Sequence, residues 1–126
     1  MNIVEPPVYE TLALRMEQHV AWVALNRPNK ANAMNEPMWA ELQRCFEWCD
    51  AEPGVRVVVL CGEGKNFCAG IDLELFGGLA ETMAAQPELG RRIEWFRRYI
   101  KTLQGNLSAI ELCRKPVIAA IQGNCI

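Results

Sequence analysis

The chain has 126 residues, of which 51% are hydrophobic and 22% are charged, and its formal net charge is -2 at pH 7. This length is enough for one domain with a hydrophobic core, and the composition is that of a globular protein rather than a disordered one. The slightly acidic balance argues against nucleic-acid binding, which requires a basic surface. No apolar run approaches the roughly 20 residues that span a bilayer, so no membrane segment is predicted.

The amino terminus carries glutamates and prolines but no basic segment, so neither a secretory signal nor an Arg-rich transit peptide is predicted. We therefore expect the six cysteines to be reduced and to act as small hydrophobic side chains in a cytoplasmic compartment. A zinc site is not favoured, because such sites use close Cys or Cys/His pairs and the only histidine is His19.

Two short strands are predicted first along the chain. Residues 9–16 alternate between apolar and polar side chains, as a half-buried strand does, and residues 20–25 are mostly apolar. A turn at residues 17–19 would join them into an antiparallel hairpin. Residues 26–30 then form a loop, since Pro28 disfavours helix at the residue before it.

A helix and a third strand follow. Asn35 has a side chain suited to an N-cap, Glu36 suits the positive end of the helix dipole, and Pro37 is tolerated in a first turn. One apolar stripe runs along this helix, formed by Met38, Leu42, Cys45, Phe46 and Cys49. Residues 56–61 are rich in valine, which predicts a strand covered on both faces. The order strand, helix, strand predicts a right-handed crossover between parallel strands.

The last third of the chain is dominated by a second helical pattern. Residues 77–87 give weak signals, and we expect a mobile segment there. From Glu88 onward the apolar residues recur every three or four positions, at Leu89, Ile93, Phe96, Ile100, Leu103, Leu107 and Ile110. This spacing predicts a long helix packed on the core, with a coiled coil as the alternative that Gly105 disfavours. Pro116 ends it, and residues 117–121 are predicted to form a buried strand.

The chain ends directly after that strand. A domain rarely stops behind a buried strand without a covering element, so we expect residues 1–126 to be the amino-terminal part of a single larger domain. Internal repeats and low-complexity segments are not found in the sequence.

The glycine loop after the third strand does not match a nucleotide-binding motif. Gly62 and Gly64 follow a strand, as in a dinucleotide fingerprint, but Phe67 occupies the place of the third glycine. The spacing of a phosphate-binding loop with Gly-Lys-Ser/Thr is absent from the sequence as well. Both nucleotide interpretations are therefore disfavoured.

Residues 67–72 have features suited to a binding or catalytic site. Ala69 and Gly70 are small enough to let a ligand approach the backbone. Asp72 can cap a helix, which would leave free N–H groups near Ile71 at the positive end of that helix. Such a place can stabilise a developing oxyanion. An ordinary glycine turn leading into a helix is the alternative.

Four segments together resemble the crotonase family, that is, the enoyl-CoA hydratases and isomerases, in order and spacing. They are residues 26–34, 57–62, 67–72 and 115–123. The similarity runs from about residue 9 to the last residue, and four segments in register make it specific. It implies an α/β fold, a crotonase-type spiral of β-β-α turns, incomplete because the chain stops before the family's second oxyanion glycine.

The resemblance also implies how a ligand is held. An acyl-CoA thioester would bind with two backbone N–H groups on its carbonyl oxygen, and by position the Ile71 N–H is the first of them. The residues that would line the CoA are Ala31, Ala33, Ala69, Gly70, Asp72 and Leu73. Lys30 would face the CoA phosphates, or else be a solvated loop lysine. Coenzyme A enters as part of the substrate, and no metal or redox cofactor is implied.

The family's catalytic carboxylates would lie beyond residue 126. We interpret Glu63, Asp72 and Glu74 as cap or surface carboxylates rather than substitutes for them. Residues 69–73 and 123–126 resemble the dienoyl-CoA isomerase branch, and Glu74 stands where hydratases often carry lysine. Isomerase and hydratase both remain open, since each would use carboxylates that this chain lacks.

The resemblance implies a parent protein that acts on unsaturated fatty acyl-CoA in β-oxidation and assembles as a homotrimer or hexamer. In a eukaryote it would be mitochondrial or peroxisomal. The 126-residue chain alone is expected to be inactive and marginally stable. Two other functions remain open, a non-catalytic acyl-CoA-binding module and a helical interaction module that uses the apolar stripe of the long helix.

Overall fold

The computed structural model describes residues 4–126 as one four-stranded sheet with helices. The elements in chain order are β1 (Leu12–Glu17), β2 (Val20–Leu25), a 3-10 turn (Pro28–Lys30), α1 (Glu36–Ala51), β3 (Val57–Gly62), α2 (Glu74–Ala84), α3 (Leu89–Leu112) and β4 (Val117–Ala119). The sheet order is β1-β2-β3-β4. The first pair is antiparallel and the next two pairs are parallel, as the predicted hairpin and crossover require.

The hairpin is confirmed, but its first strand begins three residues later than predicted. Leu12 pairs with Leu25 and Glu17 with Val20, on either side of a turn in which Gln18 has a φ of 56°. The N–H groups of Glu10 and Thr11 donate instead to the carboxylate of Glu41 on α1, at 2.7 and 2.8 Å. Because those donors are taken by a helix side chain, the sheet ladder starts only after them.

Helix α1 forms as predicted and provides most of the core. The Asn35 side chain accepts a hydrogen bond from the Met38 N–H at 3.2 Å, which is N-cap geometry. The five residues of the predicted stripe are all buried. At the other end of the helix, the Lys115 ammonium donates to the carbonyls of Cys49, Glu52 and Val55 at 2.7–2.9 Å. A side chain therefore satisfies a backbone group at each end of α1, the Met38 N–H at one end and the Cys49 carbonyl at the other.

The core lies on one side of the sheet, under α1 and the carboxy-terminal half of α3. Ala21, Val23 and Leu25 of β2 point into it and are buried, as is Val58 of β3. On the other side Trp22 lies under the Arg15 guanidinium, 4.6 Å from the ring centroid. The prediction that β3 is covered on both faces is wrong for residues 4–126, because Val58 is its only fully buried residue and the rest are half-buried.

Strand β4 is shorter and more exposed than predicted. It covers three residues rather than five, and both Ile118 and Ile121 are 56% exposed. The physical reason is its position at the edge of the sheet, where it pairs with β3 alone. The prediction of a buried strand over residues 117–121 is therefore wrong.

Most of residues 77–87 are helical, although their sequence gives weak signals, and that they are mobile stays a prediction. Helix α2 runs through Gly77 and Gly78, because the leucine, alanine, glutamate and methionine residues around them are strong helix formers. Helix α3 matches its prediction in extent, but only its carboxy-terminal half packs on the core, through Leu103, Asn106 and Ala109. Towards its amino-terminal end Leu89 and Ile93 are 70% and 58% exposed.

Successive turns of the chain are stacked where the strands lead into loops. An isolated parallel bridge joins Met34 to Ile71, and another joins Cys68 to Cys125. Three crossing segments, one after each of β2, β3 and β4, therefore lie side by side. This stacking is the spiral that the resemblance implied, and the candidate site lies on it.

Candidate functional site

The loop after β2 is built around a buried asparagine. Ala31 and Asn32 both have positive φ, 51° and 57°. The Asn32 side chain accepts from the Arg27 N–H at 2.8 Å and donates to the carbonyls of Glu63 and Asn66 at 2.9 and 2.8 Å. Asn32 has no exposed surface, so its amide fixes the first loop against the glycine loop after β3. The role of Asn32 was not predicted from the sequence. The available signal was an asparagine in a loop, since asparagine tolerates positive φ.

The first loop in turn orients residues 69–72. The Ala69 N–H donates to the Ala31 carbonyl at 3.0 Å. Met34 forms a two-bond parallel bridge, donating to the Gly70 carbonyl at 2.8 Å and accepting from the Asp72 N–H at 3.0 Å. The bridge uses groups on either side of Ile71, so the Ile71 N–H points away from it.

The Ile71 N–H has no hydrogen-bond acceptor among residues 4–126. Ile71 is 41% exposed and lies three residues before the first residue of α2. The amide of this partly exposed residue is held by the bridge of its neighbours and lies near the positive end of a helix. The Ile71 N–H is therefore a donor with a fixed direction and no acceptor among residues 4–126.

The Asp72 side chain holds the same turn by accepting two hydrogen bonds. Its carboxylate accepts from the Glu74 N–H at 3.0 Å, and its other oxygen accepts from the Arg27 guanidinium at 2.8 Å. The two side chains of this ion pair are only 16% and 11% exposed. The hydrogen bond from Glu74, and then the Arg27 guanidinium, hold the pKa of the Asp72 carboxyl below its usual value. The Asp72 carboxylate thus accepts from the first N–H of α2, although the N-cap residue of that helix is Leu73, which makes no side-chain cap.

The structure brings together the other residues predicted to contact CoA. Lys30 is exposed at the end of the 3-10 turn, and its charge also lowers the pKa of Asp72. Ala31 and Ala33 are half-buried, and the Ala33 carbonyl accepts from the Arg27 guanidinium. Leu73 is highly exposed. The segments 30–34 and 69–73 thus lie next to each other, joined by the Met34–Ile71 bridge and by the hydrogen bond from the Ala69 N–H to the Ala31 carbonyl.

Gly70 meets a backbone requirement in this surface. Its φ of 95° favours glycine, and its N–H donates to the Cys68 sulfur at 3.3 Å. A side chain at this position would contact Ile126 at 3.6 Å, which is ordinary van der Waals distance. The constraint on Gly70 is therefore its conformation rather than the space around it.

A cleft opens just beyond the Met34–Ile71 bridge, where the two bridged segments run into α1 and α2. Its volume is about 200 Å³. The lining residues are Glu36, Glu74, Leu75, Gly78, Leu79, Thr82, Trp95 and Tyr99. Trp95 and Tyr99 stack with their ring centroids 5.3 Å apart. Burial, and secondarily the charge of Glu36, raise the pKa of Tyr99. The cleft could not be predicted from the sequence, because residues 77–87 give only weak signals there.

Other features of the molecule do not add to the site. A second cleft of about 150 Å³, between α1 and α3, contains none of the predicted site residues. Within residues 4–126 no three His, Cys, Asp or Glu side chains are grouped as a metal ion requires. All six cysteines are free thiols. In the part of the chain that the structure describes, no helix is both long and apolar enough to cross a membrane.

Comparison with known proteins gives consistent matches. A family model described as enoyl-CoA hydratase/isomerase matches residues 15–126. The chain is 39% identical over 121 residues to the peroxisomal Delta(3,5)-Delta(2,4)-dienoyl-CoA isomerase of Arabidopsis thaliana, covering 94% of this chain and 44% of that protein. It is 43% identical over 120 residues to the mitochondrial Delta(3,5)-Delta(2,4)-dienoyl-CoA isomerase of Homo sapiens, covering 94% and 36%.

Among solved structures, an enoyl-CoA hydratase/carnithine racemase from Magnetospirillum magneticum matches with a TM-score of 0.75 and 36% sequence identity. The match covers 92% of this chain and 40% of that one. The mixed α/β sheet with stacked crossing segments is thus of the crotonase class, which confirms the predicted fold.

The chain belongs to the enoyl-CoA hydratase/isomerase family, a family of enzymes, since the family model covers most of its length. The resemblance drawn from four segments is therefore confirmed. The chain spans 36% to 44% of the length of the two curated relatives.

Proposed function

We propose that this chain binds an acyl-CoA thioester and that the Ile71 N–H donates a hydrogen bond to the thioester oxygen. The observation that carries the proposal is the Ile71 amide itself. It has no acceptor among residues 4–126, it belongs to a residue that is 41% exposed, and the bridge between Met34 and Ile71 fixes its direction. A donor that is rigid before the ligand arrives needs no reorganisation when negative charge develops on that oxygen.

The proposed reaction depends on the negative charge that develops on the thioester carbonyl oxygen. Removal of a proton next to a thioester carbonyl, or addition of a nucleophile to the conjugated double bond, places negative charge on the carbonyl oxygen as an enolate. One well-placed donor contributes roughly 10²–10³ in rate to such a step. In the whole protein the reaction would be isomerisation of a dienoyl-CoA or hydration of an unsaturated fatty acyl-CoA. The two curated relatives, both dienoyl-CoA isomerases by name, support isomerisation.

The CoA moiety would lie along the surface made by segments 30–34 and 69–73. Ala31, Ala33, Ala69 and Gly70 are small, so the ligand can approach the backbone closely. Lys30 would attract the CoA phosphates as a point charge. The Asp72 carboxylate is already used within the protein, so the contact of Asp72 with the ligand would be through its backbone, beside the exposed Leu73.

Several properties of the whole protein belong to the same proposal. The second oxyanion donor and the acid and base carboxylates would come from residues beyond 126, so the 126-residue chain would bind without turnover. No metal or redox cofactor would take part, and coenzyme A would enter as part of the substrate. The whole protein would be a homotrimer or hexamer, located in mitochondria or peroxisomes in a eukaryote and in the cytoplasm otherwise.

The test replaces the Ile71 N–H by an ester oxygen, by incorporating the α-hydroxy acid counterpart of isoleucine at position 71. Calorimetry would compare hexanoyl-CoA with S-hexyl-CoA, a thioether that lacks the carbonyl oxygen. We expect the unmodified chain to prefer the thioester by about two- to tenfold, the range of one net hydrogen bond, and the ester variant to lose that preference. The same exchange at the highly exposed Val8 is the control. An unchanged preference in the position-71 variant would refute the proposal.

One observation favours a second function, that of a helical interaction module. Leu89 and Ile93 leave the amino-terminal half of the α3 stripe exposed. This function predicts concentration-dependent assembly and no affinity for CoA esters. Sedimentation velocity over a hundredfold concentration range, with and without hexanoyl-CoA, separates it from acyl-CoA binding.

A further inference from the structure

Cys68 and Cys125 lie opposite each other on two neighbouring segments. They form the isolated parallel bridge between the segment after β3 and the segment after β4. The Cys68 N–H donates to the Asn124 carbonyl at 3.1 Å, and the Ile126 N–H donates to the Cys68 carbonyl at 3.0 Å. Opposed side chains in a parallel pair leave the backbone on the same side. The two side chains, both free thiols, are therefore neighbours.

The spacing of a parallel bridge suits a disulfide bond. Neighbouring strands lie about 4.7–4.9 Å apart, and the Cα atoms of disulfide-bonded cysteines are usually about 4.4–6.8 Å apart. Cys68 and Cys125 can therefore be joined without a large movement of the backbone. The cysteines at positions 45 and 49 lie one turn apart on α1, but neither has any exposed surface, so the fold shields both from a reagent in solution.

Contacts next to the bridge hold the two segments in this register. The Phe67 N–H donates to the Gln122 carbonyl at 2.8 Å, and the Gln122 side chain donates to the Gly62 carbonyl at 2.6 Å. Gly123 has a φ of 61°, and a Cβ at this position would collide with the Lys65 carbonyl oxygen. The close approach of the segments thus depends on a glycine. Because the fold already brings the two cysteines together, bond formation requires no further closure of the chain between them.

The two thiols differ in their access to solvent. Cys125 is exposed, whereas Cys68 is only 6% exposed. The reaction of a thiol with a dissolved oxidant requires access to it. The Cys125 sulfur is therefore the one that meets the oxidant, and the Cys68 sulfur reacts second, from within the fold.

We propose that Cys68 and Cys125 form a redox-active dithiol site, which a hydroperoxide converts into an intramolecular disulfide. The Cys125 sulfur attacks the hydroperoxide, the O–O bond breaks, an alcohol leaves, and Cys125 becomes a sulfenic acid. The Cys68 sulfur then attacks the Cys125 sulfur, the S–S bond forms, and the hydroxyl group leaves as water. Two thiols and one hydroperoxide thus give one disulfide, one alcohol and one water, as the sulfurs lose two electrons and the peroxide gains them.

This site is independent of acyl-CoA binding, although it lies close to the candidate oxyanion donor. The Cys68 sulfur accepts from the Gly70 N–H at 3.3 Å, and Gly70 directly precedes Ile71. In the oxidised form, the segments that follow β3 and β4 would be joined covalently at this turn.

The experiment treats the reduced 126-residue chain with hydrogen peroxide under native conditions. The remaining thiols are then alkylated in denaturant, and the chain is digested for mass spectrometry. We expect one linked peptide pair that contains Cys68 and Cys125, with the loss of two alkylatable thiols. The rate per chain should not change over a tenfold range of protein concentration, because the bond forms within one chain.

Two serine variants and a matched control identify the pair. Cys68→Ser and Cys125→Ser should each lose the disulfide completely. Cys61→Ser, which removes a half-buried thiol on β3, should form it at an unchanged rate. Circular dichroism checks that each variant folds. Should the buried Cys68→Ser fail to fold, the exposed Cys125→Ser decides the test.

A link between Cys68 and Cys125 that is present in Cys61→Ser and absent from Cys125→Ser supports the inference. A disulfide between any other two cysteines overturns it. So does a covalent dimer joined through Cys125, or an oxidation that stops at a Cys125 oxyacid while Cys68 remains alkylatable. Each of these results would show that the thiols opposed in the bridge do not react with each other.

Discussion

Helix α1 and helix α2 are the same kind of element in two different environments. Both begin just after a crossing segment of the spiral, and both have a glutamate in the first turn. Helix α1 buries an entire stripe and has a side-chain hydrogen bond to its backbone at each end. Helix α2 has no fully buried residue. The comparison shows that the candidate site lies at the boundary between a well-packed region and an open one.

This boundary between a packed and an open region bears on the proposed function. The Ile71 amide is oriented from the packed side, through Met34 and the buried Asn32 loop. The cleft at the start of α2 is walled from the open side, by α2 and the adjoining part of α3. A rigid donor next to a loosely packed wall can hold a reacting atom in place while it accommodates different attached groups.

The sharpest test of the comparison removes one large side chain from each region. Phe46→Ala in α1 empties a fully buried position and should destabilise the chain by about 3–5 kcal/mol. Phe76→Ala in α2 removes a side chain that is about half exposed and should change stability by less than about 0.5 kcal/mol. Urea unfolding followed by circular dichroism measures both. Similar losses from the two variants would contradict the division into two regions.

Asn32→Asp tests the loop that orients the site. The aspartate keeps the acceptor for the Arg27 N–H but faces the Glu63 and Asn66 carbonyls without a donor. We expect a loss of about 3 kcal/mol, because two buried acceptors lose their partner. Asn29→Asp, at an exposed position of the same loop, is the control and should be nearly neutral. A neutral Asn32→Asp would show that the loop is held by other contacts.

Lys115→Met tests the carboxy-terminal end of α1. The methionine retains most of the apolar stem but leaves three carbonyls without their shared donor, so we expect a loss of about 2 kcal/mol in urea unfolding. Lys101→Met on the exposed side of α3 serves as its control. Should the two variants unfold at the same urea concentration, the ammonium does not stabilise the helix end.

The ion pair between Arg27 and Asp72 gives a pH-dependent prediction. The pKa of Asp72 is lower in the folded chain than in the unfolded one, so its contribution is present above the unfolded value near pH 4 and is lost as pH falls through the folded value. Asp72→Asn should therefore lower stability at pH 6, and the gap to the unmodified chain should narrow below about pH 4. Thermal unfolding from pH 2.5 to 7 measures this gap. Glu81→Gln, an exposed substitution on α2 that also removes one carboxylate, is the control.

Much of the packed region could be predicted from local sequence. The cap at Asn35 and the stripe on α1 are contained within 16 residues, and β2 has the same bounds in prediction and structure. The open region was harder, because its signals conflict. Gly77, Gly78 and Pro87 indicate a loop, while the residues between them favour helix, and the balance depends on packing against α3 that the sequence does not display.

The position of the candidate site could be predicted from the sequence, but the direction of its N–H donor could not. Residues 69–72 were identified by their small side chains and by the family resemblance. The direction of the Ile71 N–H depends on its register with Met34, a contact between residues 37 positions apart. The buried carboxylate of Glu41, which holds the start of β1, was missed for the same reason, since its partners Glu10 and Thr11 are distant in the chain.

Strand β4 has a consequence for handling the protein. It pairs with β3 on one side, and no strand among residues 4–126 covers its other side. Its outer N–H and C=O groups, beside the exposed Ile118, form a template on which another chain can add a strand. Concentrated samples should therefore aggregate edge to edge, and a charged residue in place of Ile118 would suppress this by repulsion without disturbing the Ile71 amide.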